Sequence, residues 1–127
     1  MITQIGNVTV VVKDLAKSLR FYRDKVGLRL CFFDKKHDWV CFDCGAGRTT
    51  LSLTTPWNKK AKQLIGVRTG VSFQVDDIEK TYRELKKKHV VFTLKPRKER
   101  WGGIVANFKD GDGNRFFLLQ MPSGFAK

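Results

Sequence analysis

The chain has 127 residues and carries 25 lysines and arginines against 12 carboxylates, a formal net charge of +13. That length suits one compact domain, and no apolar run approaches the ~18 residues of a membrane-spanning helix. The charge favours anionic partners such as nucleic acid, phosphorylated molecules or small organic anions, with surface solubilisation as the simpler alternative.

Residues 5–12 (IGNVTVVV) are rich in β-branched side chains and predict a strand. Asp14 follows as a helix N-cap, and Leu15, Leu19, Tyr22 and Val26 recur at offsets of three and four on one helical face. Gly27 fits the end of that helix. Strands are expected at 28–33, 39–44 and 49–55, with a polar turn at 34–38 and a tight Gly-Ala-Gly-Arg turn at 45–48. Residues 56–69 form a basic connection with a short helical turn that tucks Leu64 and Ile65 down.

The order then repeats. A shift of 63 positions lays residues 7–22 (NVTVVVKDLAKSLRFY) on residues 70–85 (GVSFQVDDIEKTYREL). Val8, Val10 and Val12 fall on Val71, Phe73 and Val75, and Asp14 falls on Asp77. A strand at 70–75, a helix capped by Asp77, and strands at 90–94, 104–110 and 115–121 complete the second half. Residues 95–103 read as a charged loop. The fold class expected is α+β: two tandem βαβββ modules, at about 5–55 and 70–121, forming a mixed, curled eight-stranded sheet with helices on the convex side.

Strand parity separates two faces. Val8, Val10, Val12, Leu51, Leu53, Val71, Phe73, Val75, Phe116 and Leu118 form the apolar one, which packs on the helices. Asn7, Thr9, Val11, Thr50, Ser52, Thr54, Ser72, Gln74, Arg115 and Phe117 lie on the other, which faces solvent or a wet cavity.

The repeated module, with V-x-D-L-x-K-S-x-x-F-Y after the first strand, resembles the vicinal oxygen chelate superfamily of glyoxalases, bleomycin resistance proteins and extradiol dioxygenases. A second signature lies near the C-terminus, GG-(x4)-F-x-D-x-D-G-N, here Gly102-Gly103 through Phe108, Asp110, Asp112, Gly113 and Asn114. The resemblance spans residues 5 to 121 and implies the fold. It also implies four metal-ligand positions, which fall on Asn7, Ser52, Gly70 and Phe117. Gly70 and Phe117 have no side-chain donor, Ser52 is a poor neutral ligand, and Asn7 offers one amide oxygen, whereas a divalent site wants imidazole or carboxylate groups. His37 and His89, the only histidines, lie in a turn and past a helix. No metal and no other cofactor is therefore expected.

Other motifs are weaker. Asp110-x-Asp112-x-Asn114 resembles the start of a calcium loop, but Arg115 stands at its sixth position and Met121 at its twelfth, so a turn is expected. Cys31, Cys41 and Cys44 make no disulfide framework and fit a reducing, cytoplasmic setting. No catalytic residue is assigned; Asp43 and Glu99 are the carboxylates placed best for a base. Trp39, Trp57 and Trp101 are pocket walls or dimer contacts.

The reading is a metal-free small-molecule binding protein taking an anionic or neutral aromatic ligand in the concave sheet cavity. Its lining is Asn7, Thr9, Ser52, Thr54, Ser72, Gln74, Arg115 and Phe117, with Trp39, Trp57 and Trp101 at the rim. The family's habit implies a homodimer. A metal-dependent lyase, isomerase or dioxygenase with a relocated metal is the alternative, and nucleic-acid binding through the basic surface is a second. No membrane partner is expected.

Overall fold

The computed structural model describes residues 1–45 and 49–124. Most of the expected Gly45–Arg48 turn lies outside the described residues. The chain divides into two compact units, residues 1–66 and 67–127. Each contains one helix-and-sheet module.

In the first unit, β1 (Asn7–Val11), β2 (Arg29–Asp34), β3 (Trp39–Asp43) and β4 (Thr50–Thr54) form a four-stranded sheet in the order β1-β4-β3-β2. β1 is parallel to β4, and the other pairs are antiparallel. The helix α1 (Leu15–Arg20) lies between β1 and β2 and packs against β3 and β4. Its N-cap is Asp14, whose carboxylate accepts the Lys17 N–H at 3.1 Å, satisfying a donor that the helix cannot satisfy itself.

The sequence predicts one 3.6-residue helix to Val26, but the chain widens into a π-helical turn over Phe21–Val26. Leu15, Leu19 and Tyr22 are buried as expected, whereas Val26 stays half-buried. A π turn holds more residues per turn, so it rotates the later positions off the apolar stripe. Tyr22, within this turn, is fully enclosed, with Phe21 against it edge-on. Gly27 closes the turn with φ of 86°, which glycine adopts without steric cost.

The first core consists of Val10, Val12, Leu15, Leu19, Tyr22, Val40, Phe42, Leu51 and Leu53. The parity reading holds for these, but two residues assigned to the wet face are buried too: Val11 is 4% exposed and Ser52 is fully buried. The connection after β4 carries a 3-10 turn at Lys60–Leu64. Ala61 is the residue it buries, and Leu64 is exposed, contrary to the tucked-down expectation. The Asn58 side chain caps this turn by accepting the Ala61 N–H at 2.7 Å.

In the second unit, β5 (Arg68–Gln74), β6 (Val91–Lys98), β7 (Ile104–Lys109) and β8 (Arg115–Gln120) form a sheet in the order β5-β8-β7-β6. The helix α2 (Ile78–Lys87) packs on β6, β7 and β8. Asp77 caps it as Asp14 caps α1, accepting the Lys80 N–H at 3.1 Å. Phe73, Phe92, Phe108 and Phe116 form a continuous run of ring contacts, Tyr82 of α2 meets Phe92 edge-on, and Ile78 and Leu85 of the same helix are buried. A fully buried side chain of this size contributes roughly 1.5–3 kcal/mol.

Residues 95–98, read as loop, continue β6. Pro96 is tolerated because β6 is an edge strand, where a missing N–H breaks no ladder. The following loop seats Trp101 on Gly103, where a Cβ would lie 2.1 Å from the indole. Gly103 leaves room for that ring, and Gly102 before it has φ of 99°, a left-handed conformation that glycine adopts without steric cost. The Asp110–Asn114 signature is a turn: one Asp110 oxygen accepts the Asp112 and Asn114 N–H groups at 2.9 Å each, and the other accepts Asn114 Nδ2 at 3.0 Å. Among the described residues, no helix is long and apolar enough to cross a membrane.

Candidate functional site

Each sheet has one face against its helix and one face turned away from it. The parallel register places Asn7 beside Thr50 and Thr9 beside Ser52. β3 adds Cys41 beside Ser52, Asp43 beside Thr50 and Trp39 beside Thr54. The first unit therefore brings Asn7, Thr9, Trp39, Ser52 and Thr54 onto one face. Trp57 lies beyond β4 and is 63% exposed.

Asn7 is the hub of this face. Its Oδ1 accepts from Thr50 Oγ1 at 2.7 Å and from Ser52 Oγ at 2.8 Å, and its Nδ2 donates to Thr9 Oγ1 at 3.0 Å. Ser52 is fully buried, so its hydroxyl orients Asn7 and is withdrawn from solvent. Near this network, Phe32 packs against Trp39 with ring centroids 5.4 Å apart. Phe32 shares the face because the strand bulges between Leu30 and Phe32. The bulge turns that ring onto the Trp39 side, a placement alternation alone does not predict.

The bulge residue is Cys31. Its thiol donates to the Cys41 carbonyl at 3.2 Å. The residue is exposed as a whole, yet its pKa is pushed up to about 11, first by desolvation of the sulfur, then by Cys41 and the charge of Asp43. Desolvation also raises Cys44. Thiols held in the neutral form are poor nucleophiles and poor metal ligands.

In the second unit the register places Ser72 beside Phe117 and Gln74 beside Leu119. β7 adds Asn107 beside Phe117 and Lys109 beside Arg115. Ser72, Gln74, Arg115 and Phe117 thus share a face, as the alternation predicts. Asn107 was missed by sequence reasoning, although its position between buried Ala106 and Phe108 signals this face. It is held by Thr93, whose hydroxyl donates to the Asn107 side-chain oxygen. Trp101 belongs to the β6–β7 loop and not to the sheet face.

The four positions at which the resemblance implies metal ligands do not fit a divalent ion. The Asn7 oxygen already accepts two hydroxyl protons. Ser52 donates its proton to that same oxygen. Gly70 has φ of 75°, so its backbone as well as its missing side chain departs from an ordinary strand residue. Phe117 offers only a ring. Among the described residues, no cluster of three or more His, Cys, Asp or Glu side chains forms a metal-binding group.

The carboxylates considered as bases are also engaged. Asp43 pairs with Arg29 at 3.2 Å, and Glu99 with Arg97 at 3.1 Å. His37 is held in its turn by Asp34, whose side chain accepts the His37 amide N–H at 3.1 Å and lies 2.7 Å from Nδ1. That hydrogen bond is the main reason the Asp34 carboxyl sits below its usual range.

Residues 4–118 match the family described as the Glyoxalase/Bleomycin resistance protein/Dioxygenase superfamily. The chain is 31% identical over 123 residues to the uncharacterized protein YetH of Bacillus subtilis (strain 168), covering 94% of this chain and 100% of that one. A superfamily member from Sphaerobacter thermophilus DSM 20745 superposes with a TM-score of 0.85 at 31% identity, covering 94% of this chain and 98% of that one. TnmS3, an antibiotic binding protein from Streptomyces sp. CB03234, superposes with a TM-score of 0.83 at 27% identity, covering 96% and 98%.

Proposed function

We propose that this chain, which belongs to the Glyoxalase/Bleomycin resistance protein/Dioxygenase superfamily, is a small-molecule binding protein working without a metal. The ligand is anionic or a neutral aromatic molecule, held on the sheet faces turned away from the helices. One observation carries this reading: Asn7 and Ser52, two positions where the family resemblance implies chelating side chains, hydrogen-bond to each other at 2.8 Å. A face built this way presents fixed hydroxyl and amide groups beside aromatic rings, which suits orientation of an uncharged or anionic organic molecule. The likeness to an antibiotic binding protein supports the same class.

Charge narrows the ligand. A +13 protein repels cations before contact and attracts anions. Arg115, on the open face beside Phe117 along the same strand, is the residue that pairs with an anionic group. On the second unit Ser72, Gln74 and Phe117 share that face, with Trp101 in the loop beyond β6; on the first unit Asn7, Thr9 and Thr54 form the corresponding face, with Trp39 beside them and Trp57 beyond β4. The functional form is a homodimer in the cytoplasm.

The test is a thermal-shift screen of anionic and aromatic compounds, followed by titration of each hit. A hit whose affinity falls about tenfold in Arg115→Ala, with the melting temperature of the free protein preserved, supports the reading. Equal affinity in the variant removes Arg115 from the site. Turnover of a hit would replace the binding reading with an enzymatic one.

A further inference from the structure

Arg115 does not stand alone. The register sets Arg68 beside it on β5 and Lys109 beside it on β7, so three cations occupy one row across three adjacent strands. None of the three forms an ion pair among the described residues. Like charges directly opposite one another in a sheet are destabilising. Neighbouring strands lie about 4.8 Å apart, so the row spans only about 10 Å.

Arg68 reaches this row through a specific distortion. Ser72 pairs with Phe117, so unbroken alternation would set Gly70 beside Arg115. The register instead shifts by two residues between Arg68 and Ser72, and Arg68 takes that place. Gly70 lies in the shifted segment with φ of 75°. The chain thus adopts a left-handed residue and a bulge, and a third cation joins the row.

We propose that Arg68, Lys109 and Arg115 form a subsite for a dianionic phosphoryl group, as in a phosphate monoester. Two guanidinium forks and an ammonium match the charge and the several oxygens of such a group better than one carboxylate does. Phe117 lies two residues along β8 on the same face, so an aromatic or planar organic part attached to the phosphate meets its ring. The proposal rests on the reading that the Arg115 face binds the ligand.

The experiment titrates the protein with inorganic phosphate, phenyl phosphate and benzoate at constant ionic strength. Phenyl phosphate is expected to bind at least about tenfold tighter than benzoate. Arg68→Gln and Lys109→Gln should each weaken both phosphates about tenfold and leave benzoate within about threefold. A control variant, Lys35→Gln/Lys36→Gln/Lys87→Gln, removes more charge than either row substitution from exposed positions and should change nothing beyond about twofold. In phosphate-free, low-salt buffer, Arg68→Gln should melt at or above the wild-type temperature, because it relieves like-charge repulsion.

Equal losses in the control and row variants would overturn the subsite in favour of diffuse charge. No saturable phosphate binding would overturn it too, and saturable benzoate binding at the same face would then leave the broader binding reading standing. If the row variants lose only duplex DNA binding, measured in parallel, the row belongs to a nucleic-acid surface and the proposal fails.

Discussion

Ser52 Oγ donates to Asn7 Oδ1 at 2.8 Å, diagonally across the parallel pair of β1 and β4. The same two positions are the first and second ligand sites implied by the family resemblance. In this chain they satisfy each other. The Thr50 hydroxyl completes the arrangement at 2.7 Å, so the amide is oriented without any ion.

That relationship sets the first prediction. Ser52 is fully buried, and its hydroxyl has the Asn7 oxygen as its partner. Ser52→Ala removes donor and desolvation cost together while Thr50 still serves Asn7, so the loss should be about 1 kcal/mol. Asn7→Leu should cost about 1–3 kcal/mol, because it strands the buried Ser52 hydroxyl. Urea denaturation measures both; the order Asn7→Leu greater than Ser52→Ala is the expected outcome.

Gly70 sets the second. No heavy atom lies within 4 Å of a Cβ built there, so packing alone would permit alanine. Its φ of 75° does not. Gly70→Ala is expected to destabilise by about 1–2 kcal/mol through the left-handed penalty. Gly70→His, which restores the imidazole at that position, should cost at least as much and bring no zinc-dependent rise in melting temperature. A neutral alanine substitution would show that the segment relaxes to an ordinary strand.

The third concerns the C-terminal signature. Asp110 accepts two backbone N–H groups and the Asn114 amide, and both side chains are buried. Hydrogen bonds to a charged group are each worth about 1.5–3 kcal/mol. Asp110→Ala should therefore lower stability by about 3 kcal/mol or more and loosen the β7–β8 hairpin in hydrogen exchange. Added calcium should leave the melting temperature of the wild type unchanged, because the carboxylate already serves the turn.

Much of the scaffold was legible from side-chain chemistry. Asp14 and Asp77 announced two helix starts because a carboxylate is the acceptor those N–H groups need, and alternation around Val10 and Phe116 sorted the faces. Features set by backbone geometry were not legible. The π turn at Phe21–Val26 and the shifted register at Gly70 change which residues line up while leaving composition untouched. A period-two reading therefore began the fifth strand at Gly70 and omitted Arg68. Pro96 suggested a loop because alternation does not reveal which strand lies at an edge. Lys109 and Asn107 were within reach, since Ala106 and Phe108 fix the apolar parity around them. The metal-ligand positions were informative for another reason: the identities of Asn7, Ser52, Gly70 and Phe117 exclude strong donors, but only the geometry shows Asn7 and Ser52 joined.

In this chain hydrogen bonds stand where the family resemblance implies a chelated ion. The most direct measurement is elemental analysis of protein purified without chelators or added metals, with ligand binding measured on the same sample before and after chelator treatment. The expected result is substoichiometric zinc, nickel, manganese and iron, and binding unchanged by the chelator. Stoichiometric metal whose removal abolishes binding would contradict the account.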